Sequence, residues 1–309
     1  MASNTLPTVF VCGATGSQGA ALCRQLRVIG WNVHATVRDP HSQAAQALEA
    51  HGVKLTVGDW DNKEALATTM AGCDKLFLNL VPNFGDWDRE RLHAQSILAI
   101  AKEVGVKQVV YSSAVTAHAP EKRSGMDPSH PIHKLFFMKN TIEGIMKRAA
   151  FDHWTILRPT FFMANFLQPK VRMYPDLAQT NTFKTAMMPD TLMDLIDHED
   201  IARFALAAFG DPTRFDQQEI ELFGEALTPG QVTERLSMAA GRDIKAEFYT
   251  DEEIKEQHGT NLMIEVQLSM RDSHRFVDAE KIKSFGIPLT TFRDFLERES
   301  KDAVKATDP

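Results

Sequence analysis

Short apolar runs alternate with helical stretches along the first half of the chain. Six such runs predict buried strands, at residues 9–12, 32–37, 53–57, 76–81, 108–111 and 154–157. Between them, apolar residues recur at helical spacing, for example after Ser17 and at the predicted core positions Leu92, Ile97 and Ile100. Because there is no internal repeat or low-complexity linker, this alternation predicts an α/β fold with a doubly wound parallel sheet.

The first predicted strand and helix are joined by a turn with a glycine at every third position. Gly13, Gly16 and Gly19 give the spacing G-x-x-G-x-x-G rather than the more usual G-x-G-x-x-G. Gly13 is predicted to make the tight turn, Gly16 to allow a ligand to approach, and Gly19 to let the helix pack closely on the strand. Since the N–H groups at a helix N-terminus attract phosphate, the turn predicts a dinucleotide-binding site.

Arg38 directly follows the second predicted strand, where NAD-preferring sites carry a carboxylate for the ribose 2′-hydroxyl. A guanidinium instead matches the charge and the bidentate geometry of the 2′-phosphate of NADP. The alternative is a solvated arginine that pairs with the neighbouring Asp39. The residue type therefore favours NADP(H) as the cofactor.

Other cofactor contacts are predicted in the glycine turn and at the carboxyl ends of the strands. Asp59 follows the third strand and has two possible roles: it bonds the adenine amino group, or it caps the helix that begins near Asn62. The remaining predicted cofactor contacts are Thr15, Ser17, Gln18, Trp60, Asn79, Val81 and Pro159.

Composition narrows the class of protein. The chain has 309 residues, 43% hydrophobic and 24% charged, as is typical of a globular protein with a sizeable core. Its net charge of −7 argues against direct nucleic-acid binding. The cysteines show no C-x-x-C pairing and predict neither disulfides nor a zinc site. Because neither a leader pattern nor a membrane-spanning apolar run is recognised, we expect a cytoplasmic protein without membrane contact.

The second half of the chain has a less regular pattern. Helices are predicted at 201–209 and 291–298, and a strand at 219–223 is expected to join the main sheet. Thr228 and Pro229 are typical of a helix start. Residues 168–189, rich in methionine, proline and polar side chains, predict an irregular covering segment. The expected division is a dinucleotide-binding domain at 1–158 and a smaller α+β substrate region at 159–309.

Several stretches together resemble one known family. They are the glycine turn, Val-Arg38, Gly58-Asp59, Val-Val-Tyr-Ser-Ser113, Lys139-Asn-Thr-Ile-Glu143 and Thr155-Ile-Leu-Arg-Pro159. With these and further matches toward the C-terminus, the chain resembles the NmrA-like branch of the atypical short-chain dehydrogenase/reductase superfamily. The resemblance implies a Rossmann-like domain, NADP(H) binding and a smaller C-terminal region that closes a substrate cleft.

The chain departs from the superfamily pattern at the expected catalytic site. The superfamily uses a Tyr-x-x-x-Lys pair, but Leu135 stands four residues before Lys139. Lys139 then has three possible roles: a cofactor ligand, the acid/base itself as in the related isoflavone-type reductases, or a surface lysine paired with Glu143. Ser113, at the end of the fifth strand, is the second catalytic candidate, although a register slip would put Ala114 in its place.

Substrate contacts are predicted at two places in the chain. His133, together with His130, lies in a proline-rich loop expected over the nicotinamide, where an imidazole either relays a proton or is a bystander. Phe162 and Phe166 either form an apolar wall for the substrate or belong to the core. The run at 197–200, which contains a histidine among acidic residues, fits no usual ligand spacing, so no metal site is expected.

Two functional classes follow from these residues. The preferred class is an NADPH-dependent reductase of a small aromatic or conjugated carbonyl, quinone or enone, favoured by the apolar residues at 161–166. The alternative is a non-catalytic NADP(H) sensor that acts through a regulatory protein partner, favoured by the missing tyrosine. The sequence leaves the substrate's identity and the oligomeric state open.

Overall fold

The computed structural model describes residues 6–83, 85–123 and 130–303, except for the side chains at 131, 132 and 300–303. The strands in this part of the chain are β1 (Thr8–Val11), β2 (Asn32–Val37), β3 (Lys54–Val57), β4 (Lys75–Leu78), β5 (Gln108–Ser112), β6 (His153–Pro159), β7 (Phe161–Phe162), β8 (Thr182–Thr185), β9 (Met193–Ile196), β10 (Gln218–Leu222), β11 (Glu225–Leu227) and β12 (Lys245–Phe248).

The α-helices over the same residues are α1 (Ser17–Val28), α2 (Gln43–Ala50), α3 (Lys63–Met70), α4 (Trp87–Glu103), α5 (Pro131–Arg148), α6 (Pro175–Thr180), α7 (His198–Gly210), α8 (Pro212–Phe215), α9 (Pro229–Ala240), α10 (Asp251–Gln257), α11 (Leu262–Met270), α12 (Ala279–Ser284) and α13 (Phe292–Ala303). None of these described helices is both long and apolar enough to cross a membrane.

Seven strands form the central sheet, in the order β10-β6-β5-β4-β1-β2-β3. The neighbouring pairs from β6 to β3 are all parallel, and Phe10 of β1 lies between His34 of β2 and Leu76 of β4. This order, with helices flanking the sheet, confirms the predicted doubly wound, Rossmann-like fold. The strand order reverses between β1 and β4, and such sheets bind ligands beyond the carboxyl ends of the strands at that point.

The strands form where apolar residues are buried, but some predicted bounds differ. The strand predicted at 76–81 ends at Leu78, and the one predicted at 154–157 extends over the whole of β6. In α4 the predicted core position Leu92 is 51% exposed. The buried residues of α4 lie along one face of the helix and are Glu90, Ala94, Ile97, Leu98, Ile100 and Ala101. Leu92 lies outside this face and is therefore exposed, whereas Glu90 is buried.

The chain divides into two compact units. Unit 1 holds the described residues of 1–118, 137–158 and 201–220, and unit 2 holds those of 119–136, 159–200 and 221–309. The sequence-based division also changes domain at 158/159, but it assigned 119–136 to the first domain and 201–220 to the second. β10 lies at one edge of the central sheet, next to β6, although unit 2 strands separate the two in sequence.

Unit 2 has its own sheets and core. β11, β9 and β7 form one sheet, and β12 pairs with β8 in another. The prediction of an irregular segment at 168–189 is wrong, because this stretch contains α6 and β8 and contributes Tyr174, Leu177 and Phe183 to the core of unit 2. Its polar side chains hide this order from the sequence, since only alternate positions of β8 are buried. Thr228 caps α9 as predicted, with a capping box formed by Gln231.

Candidate functional site

A cavity of about 560 Å³ lies in unit 1, beyond the carboxyl ends of β1 to β4. Eight of the predicted cofactor residues line it: Gly13, Thr15, Gly16, Arg38, Asp59, Trp60, Asn79 and Val81. Asp61, Arg89, Glu90 and His93 also line the cavity, although no motif in the sequence marks them as site residues. The cavity therefore brings together the glycine turn and the residues that follow three other strands.

The glycine turn leaves the first turn of α1 open to a ligand. Gly13 has a φ of 64°, which favours glycine, and the N–H of Gly16 donates to the Gly13 carbonyl at 2.9 Å. A Cβ at Gly19 would lie 2.3 Å from that carbonyl oxygen, so only glycine lets α1 pack on the turn. Gly16 is the N-cap and supplies no capping side chain, and the first turn has no acidic residue. The unsatisfied N–H groups there suit a phosphate.

Gln18 ties the start of α1 to the ends of two strands. The Ser112 hydroxyl donates to Gln18 Oε1 at 2.6 Å, and Gln18 Nε2 donates to Asn79 Oδ1 at 3.4 Å. Gln18 therefore positions other residues of the site and does not line the cavity itself. Ser17 and Gly19, in the same turn, do not line the cavity either. Ser112, which the sequence analysis passed over as a partner, holds Gln18 in place.

Arg38 and Asp59 face the cavity, and the structure narrows their alternatives. Arg38 is exposed and forms no ion pair with any residue described, since Asp39 accepts instead from the N–H of His41 at 2.8 Å. Asp59 accepts from the N–H groups of Asp61 and Asn62 within a turn. The helix-capping role proposed for Asp59 is wrong, because Asn62 caps α3 by accepting from Ala65.

Asp61 and His93 also line the cavity and contact each other. His93 Nε2 lies 2.9 Å from Asp61 Oδ1, and Arg89 also contacts this carboxylate. The hydrogen bond with His93, followed by the charges of His93 and Arg89, lowers the pKa of Asp61. His93 packs edge-on against Trp60, with ring centroids 5.7 Å apart. No local signal marks this group, because its members come from different segments.

Lys139 of α5 is buried and paired with Glu90. Its Nζ lies 2.6 Å from Glu90 Oε1 and donates to the carbonyl of Leu80 at 3.2 Å. The prediction of a surface lysine paired with Glu143 is wrong, since Lys139 is 5% exposed and its carboxylate partner comes from α4. The ammonium also lies 5.7 Å from the ring centre of Tyr111. Burial, with the nearby charges of Glu90 and Glu143, raises the pKa of Tyr111 well above its usual range.

Ser113 belongs to a buried polar network rather than to the cavity wall. Its hydroxyl donates to Glu143 Oε1 at 2.6 Å, and Arg158 binds both oxygens of Glu143, at 2.9 and 2.6 Å. Arg158 also contacts Glu219, which Lys147 binds at 2.5 Å. Burial alone would raise the pKa of Glu219, but the hydrogen bonds from Lys147 and Arg158 outweigh it and lower that pKa. The network ties α5 to the sheet.

The predicted substrate residues belong to unit 2. Phe166 is 3% exposed and packs against Tyr174, Phe183 and Phe292, so the structure supports its core alternative. Phe162 is half-buried, with the Lys170 ammonium 5.3 Å from its ring centre. His133 is on the first turn of α5 rather than in a loop, and it is buried. Pro159 ends β6 and does not line the cavity of unit 1.

The chain is similar to several known proteins in sequence or in fold. An NAD(P)H azoreductase of Xenophilus azovorans is 28% identical over 250 residues, which cover 80% of this chain and 79% of that protein. An NADPH-dependent quinone oxidoreductase of Escherichia coli, solved with NADPH, superposes with a TM-score of 0.72 at 20% identity, covering 94% of this chain and 99% of that one. The negative transcriptional regulator NmrA, solved with NAD, gives a TM-score of 0.69 at 21% identity, with coverages of 96% and 91%.

The family assignment follows from the breadth of the match. The model of the NmrA-like family matches residues 6–295, which include most of both units and the whole of the glycine turn. The chain belongs to the NmrA-like family.

Proposed function

We propose that the protein is an NADPH-dependent reductase of small, conjugated acceptors. The observation that supports this most is the cavity of unit 1, where an uncapped helix N-terminus and an arginine without an ion-pair partner among the described residues line the same space. These two features suit the pyrophosphate and the 2′-phosphate of NADP. Bound NADPH would supply the hydride.

Different lining residues would bind different parts of the cofactor. The N–H groups at the start of α1 would hold the pyrophosphate, with Gly16 leaving room for its approach. Arg38 would bind the 2′-phosphate with two parallel hydrogen bonds. Asp59, which lies beyond the end of β3, would accept from the adenine amino group.

Lys139 would hold the nicotinamide ribose. The ammonium is ion-paired with Glu90 and donates one hydrogen bond, to the Leu80 carbonyl. Because an ammonium has three N–H donors, it would still have a donor for a ribose hydroxyl. Glu90 would fix the direction of the ammonium, because the pair is buried and a lone charge there would be costly.

The substrate class follows from what the site lacks. Leu135 offers no proton at the position of the superfamily's tyrosine, so acceptors that take their proton from water are favoured. Quinones, enones and azo compounds spread the charge that hydride adds, and they need an enzymatic acid less than simple ketones do. Two of the similar proteins are named as an azoreductase and a quinone oxidoreductase, in agreement with this class.

The test follows NADPH absorbance with a panel of quinones, enones and azo dyes. We expect turnover with at least one acceptor class and none in a Gly16→Val variant, whose side chain would occupy the pyrophosphate space while the sheet core is untouched. Circular dichroism checks that the variant is folded. Dinucleotide binding at unchanged affinity in Gly16→Val would contradict the placement of the phosphates.

A second candidate is a dinucleotide sensor that acts on a protein partner. It is supported by Leu135 at the tyrosine position and by the likeness of the fold to a transcriptional regulator. The same panel separates the two functions. Tight NADP(H) binding without turnover of any acceptor would favour the sensor and contradict the reductase.

A further inference from the structure

Three potential metal ligands meet inside unit 2, apart from the cavity of unit 1. His130 directly precedes α5, His133 is on its first turn, and Glu265 belongs to α11. One ligand atom from each side chain lies within 4.8 Å of the other two. The two histidine rings are 5.0 Å apart, centre to centre.

The environment of His130 suits a metal ligand. Both of its ring nitrogens are buried, and neither has a hydrogen-bond partner among the residues described. An imidazole normally uses at least one nitrogen in a hydrogen bond when water cannot reach it, because an unmet buried polar atom costs about 1–3 kcal/mol. A bound cation would satisfy one of these nitrogens.

The other two residues are also withdrawn from water. His133 and Glu265 are each 3% exposed. Glu265 accepts from the N–H of Gly259 at 2.7 Å, which fixes the carboxylate beside the histidines. The side chain of His258, 62% exposed, lies 3.7 Å from the same carboxylate oxygen. A buried carboxylate with two imidazoles beside it forms an N₂O donor set.

This donor set matches the chemistry of a borderline divalent ion. Two imidazoles and one carboxylate are ligands that Zn²⁺ accepts, with bonds of about 2.0–2.2 Å. In a tetrahedral site such bonds separate the ligand atoms by roughly 3.3 Å. Ligand atoms no more than 4.8 Å apart therefore need to approach by at most about 1.5 Å, within reach of rotation about the side-chain bonds.

We infer that His130, His133 and Glu265 form a binding site for a divalent transition-metal ion, with Zn²⁺ as the ion that the ligands suit. The bound ion would link the start of α5 to α11 within unit 2. Water or His258 would complete the ligand set. The sequence gives no signal for this site, because the third ligand is over 130 residues away from the histidines.

The test uses the full chain, stripped with a chelator and titrated with ZnCl₂ in a calorimeter. We expect one Zn²⁺ per chain, and a rise of a few degrees in the unfolding midpoint when Zn²⁺ is in hundredfold excess over its dissociation constant. His130→Gln should weaken binding at least about tenfold. Glu265→Gln keeps an oxygen for the Gly259 N–H but loses the charge, and it should also weaken binding.

His41→Gln is the matched control, because His41 is an exposed histidine of unit 1. It should leave Zn²⁺ affinity and stoichiometry unchanged. Absence of one-to-one binding, or equal affinity in His130→Gln and the parent, would overturn the inference. These readouts need no dinucleotide and no turnover, so they are independent of the proposed reductase.

Discussion

Arg38 is the residue that should set the choice between NADPH and NADH. We expect the unmutated protein to bind NADPH more tightly, and Arg38→Ala to remove most of the difference. A charge-assisted hydrogen-bonded pair contributes about 1.5–3 kcal/mol, or roughly ten- to a hundredfold in affinity. Arg38→Lys should retain part of the preference, since it keeps the charge and loses the bidentate fork. Titration calorimetry with both cofactors decides this, and equal affinities in the unmutated protein would contradict the role of Arg38.

A second prediction concerns the stability that the buried Lys139–Glu90 ion pair provides. Lys139→Met leaves the buried Glu90 carboxylate without its countercharge and should lower the free energy of unfolding by about 3–5 kcal/mol. The double variant Lys139→Met/Glu90→Leu removes both charges and should regain most of this loss. Urea denaturation of the four proteins in the cycle measures the coupling. Additive losses would mean that the two charges do not depend on each other.

The same double variant separates the two remaining roles of Lys139 if turnover is found. A lysine that only holds the ribose should be needed for NADPH affinity, and saturating cofactor should restore turnover. A lysine that donates the proton should leave turnover about 10²–10⁴-fold lower even at saturation. We expect the first result. A large loss of turnover with unchanged NADPH affinity would contradict it.

Helix α1 packs so closely on the glycine turn that a methyl group added at Gly19 should disrupt the contact. The Cβ of Gly19→Ala would meet backbone atoms of Gly13 and Ala14 at 2.3–2.8 Å, so α1 must move. We expect a loss of about 1–3 kcal/mol in the free energy of unfolding, together with weaker dinucleotide binding. Gly210→Ala, at the end of α7, is the control: an added Cβ there would meet no neighbouring group within 4 Å, so the variant should be neutral or slightly stabilised. Chemical denaturation compares the two, and equal stabilities would show that the turn can give way.

The docking of α13 should depend on pH through Asp197, which precedes α7. Arg298 binds both oxygens of this carboxylate, at 2.6 and 3.0 Å. Burial alone would raise the pKa of Asp197, but hydrogen bonds from Arg298 and from the Glu199 N–H outweigh it and lower that pKa. A carboxyl group with a lowered pKa stabilises the folded state above its unfolded pKa, and this contribution is lost as pH falls through the folded value.

Arg298→Met should therefore cost most stability at neutral pH. We expect about 1–3 kcal/mol at pH 7, less than for a fully buried pair because the Arg298 side chain is 38% exposed. The difference from the parent should shrink below about pH 4 as Asp197 takes up a proton. Arg293→Met, on the same helix with an exposed i,i+4 partner, should cost much less stability, because water screens that pair. Urea titrations across this pH range test the slope, and a pH-independent difference would refute it.

The elements that the sequence predicted correctly are those whose signal is local. β1 and β5 are buried along their whole length or nearly so, and the sequence therefore shows each as a short apolar run. The glycine turn is recognised from three glycines within seven residues. The Lys139–Glu90 pair could not be predicted, because the two residues lie on different helices and neither sequence neighbourhood shows the other. β8 was missed because polar side chains alternate with its buried ones and because its partner strand, β12, begins some sixty residues later.

The three cysteines offer a chemical probe of the folding of unit 1. Cys12, Cys23 and Cys73 all belong to that unit and are buried, and burial raises the pKa of each to about 12. We expect no reaction of the native protein with a disulfide reagent at pH 8, because the thiolate is the reactive form. All three should react in urea. Labelling at low urea should slow when NADPH is present, since a ligand of the native state suppresses opening. A thiol that reacts at once in the native protein would contradict this.

The position of β10 has a consequence for synthesis on the ribosome. β6 ends at Pro159, and its neighbour at the sheet edge begins only at Gln218, about sixty residues later. At translation rates of about 5–20 residues per second, β6 waits several seconds with one side of its backbone unpaired. An open edge of this kind can pair with another nascent chain. Holdase chaperones should therefore engage chains stalled between these two strands more strongly than chains stalled after β10 has emerged from the exit tunnel.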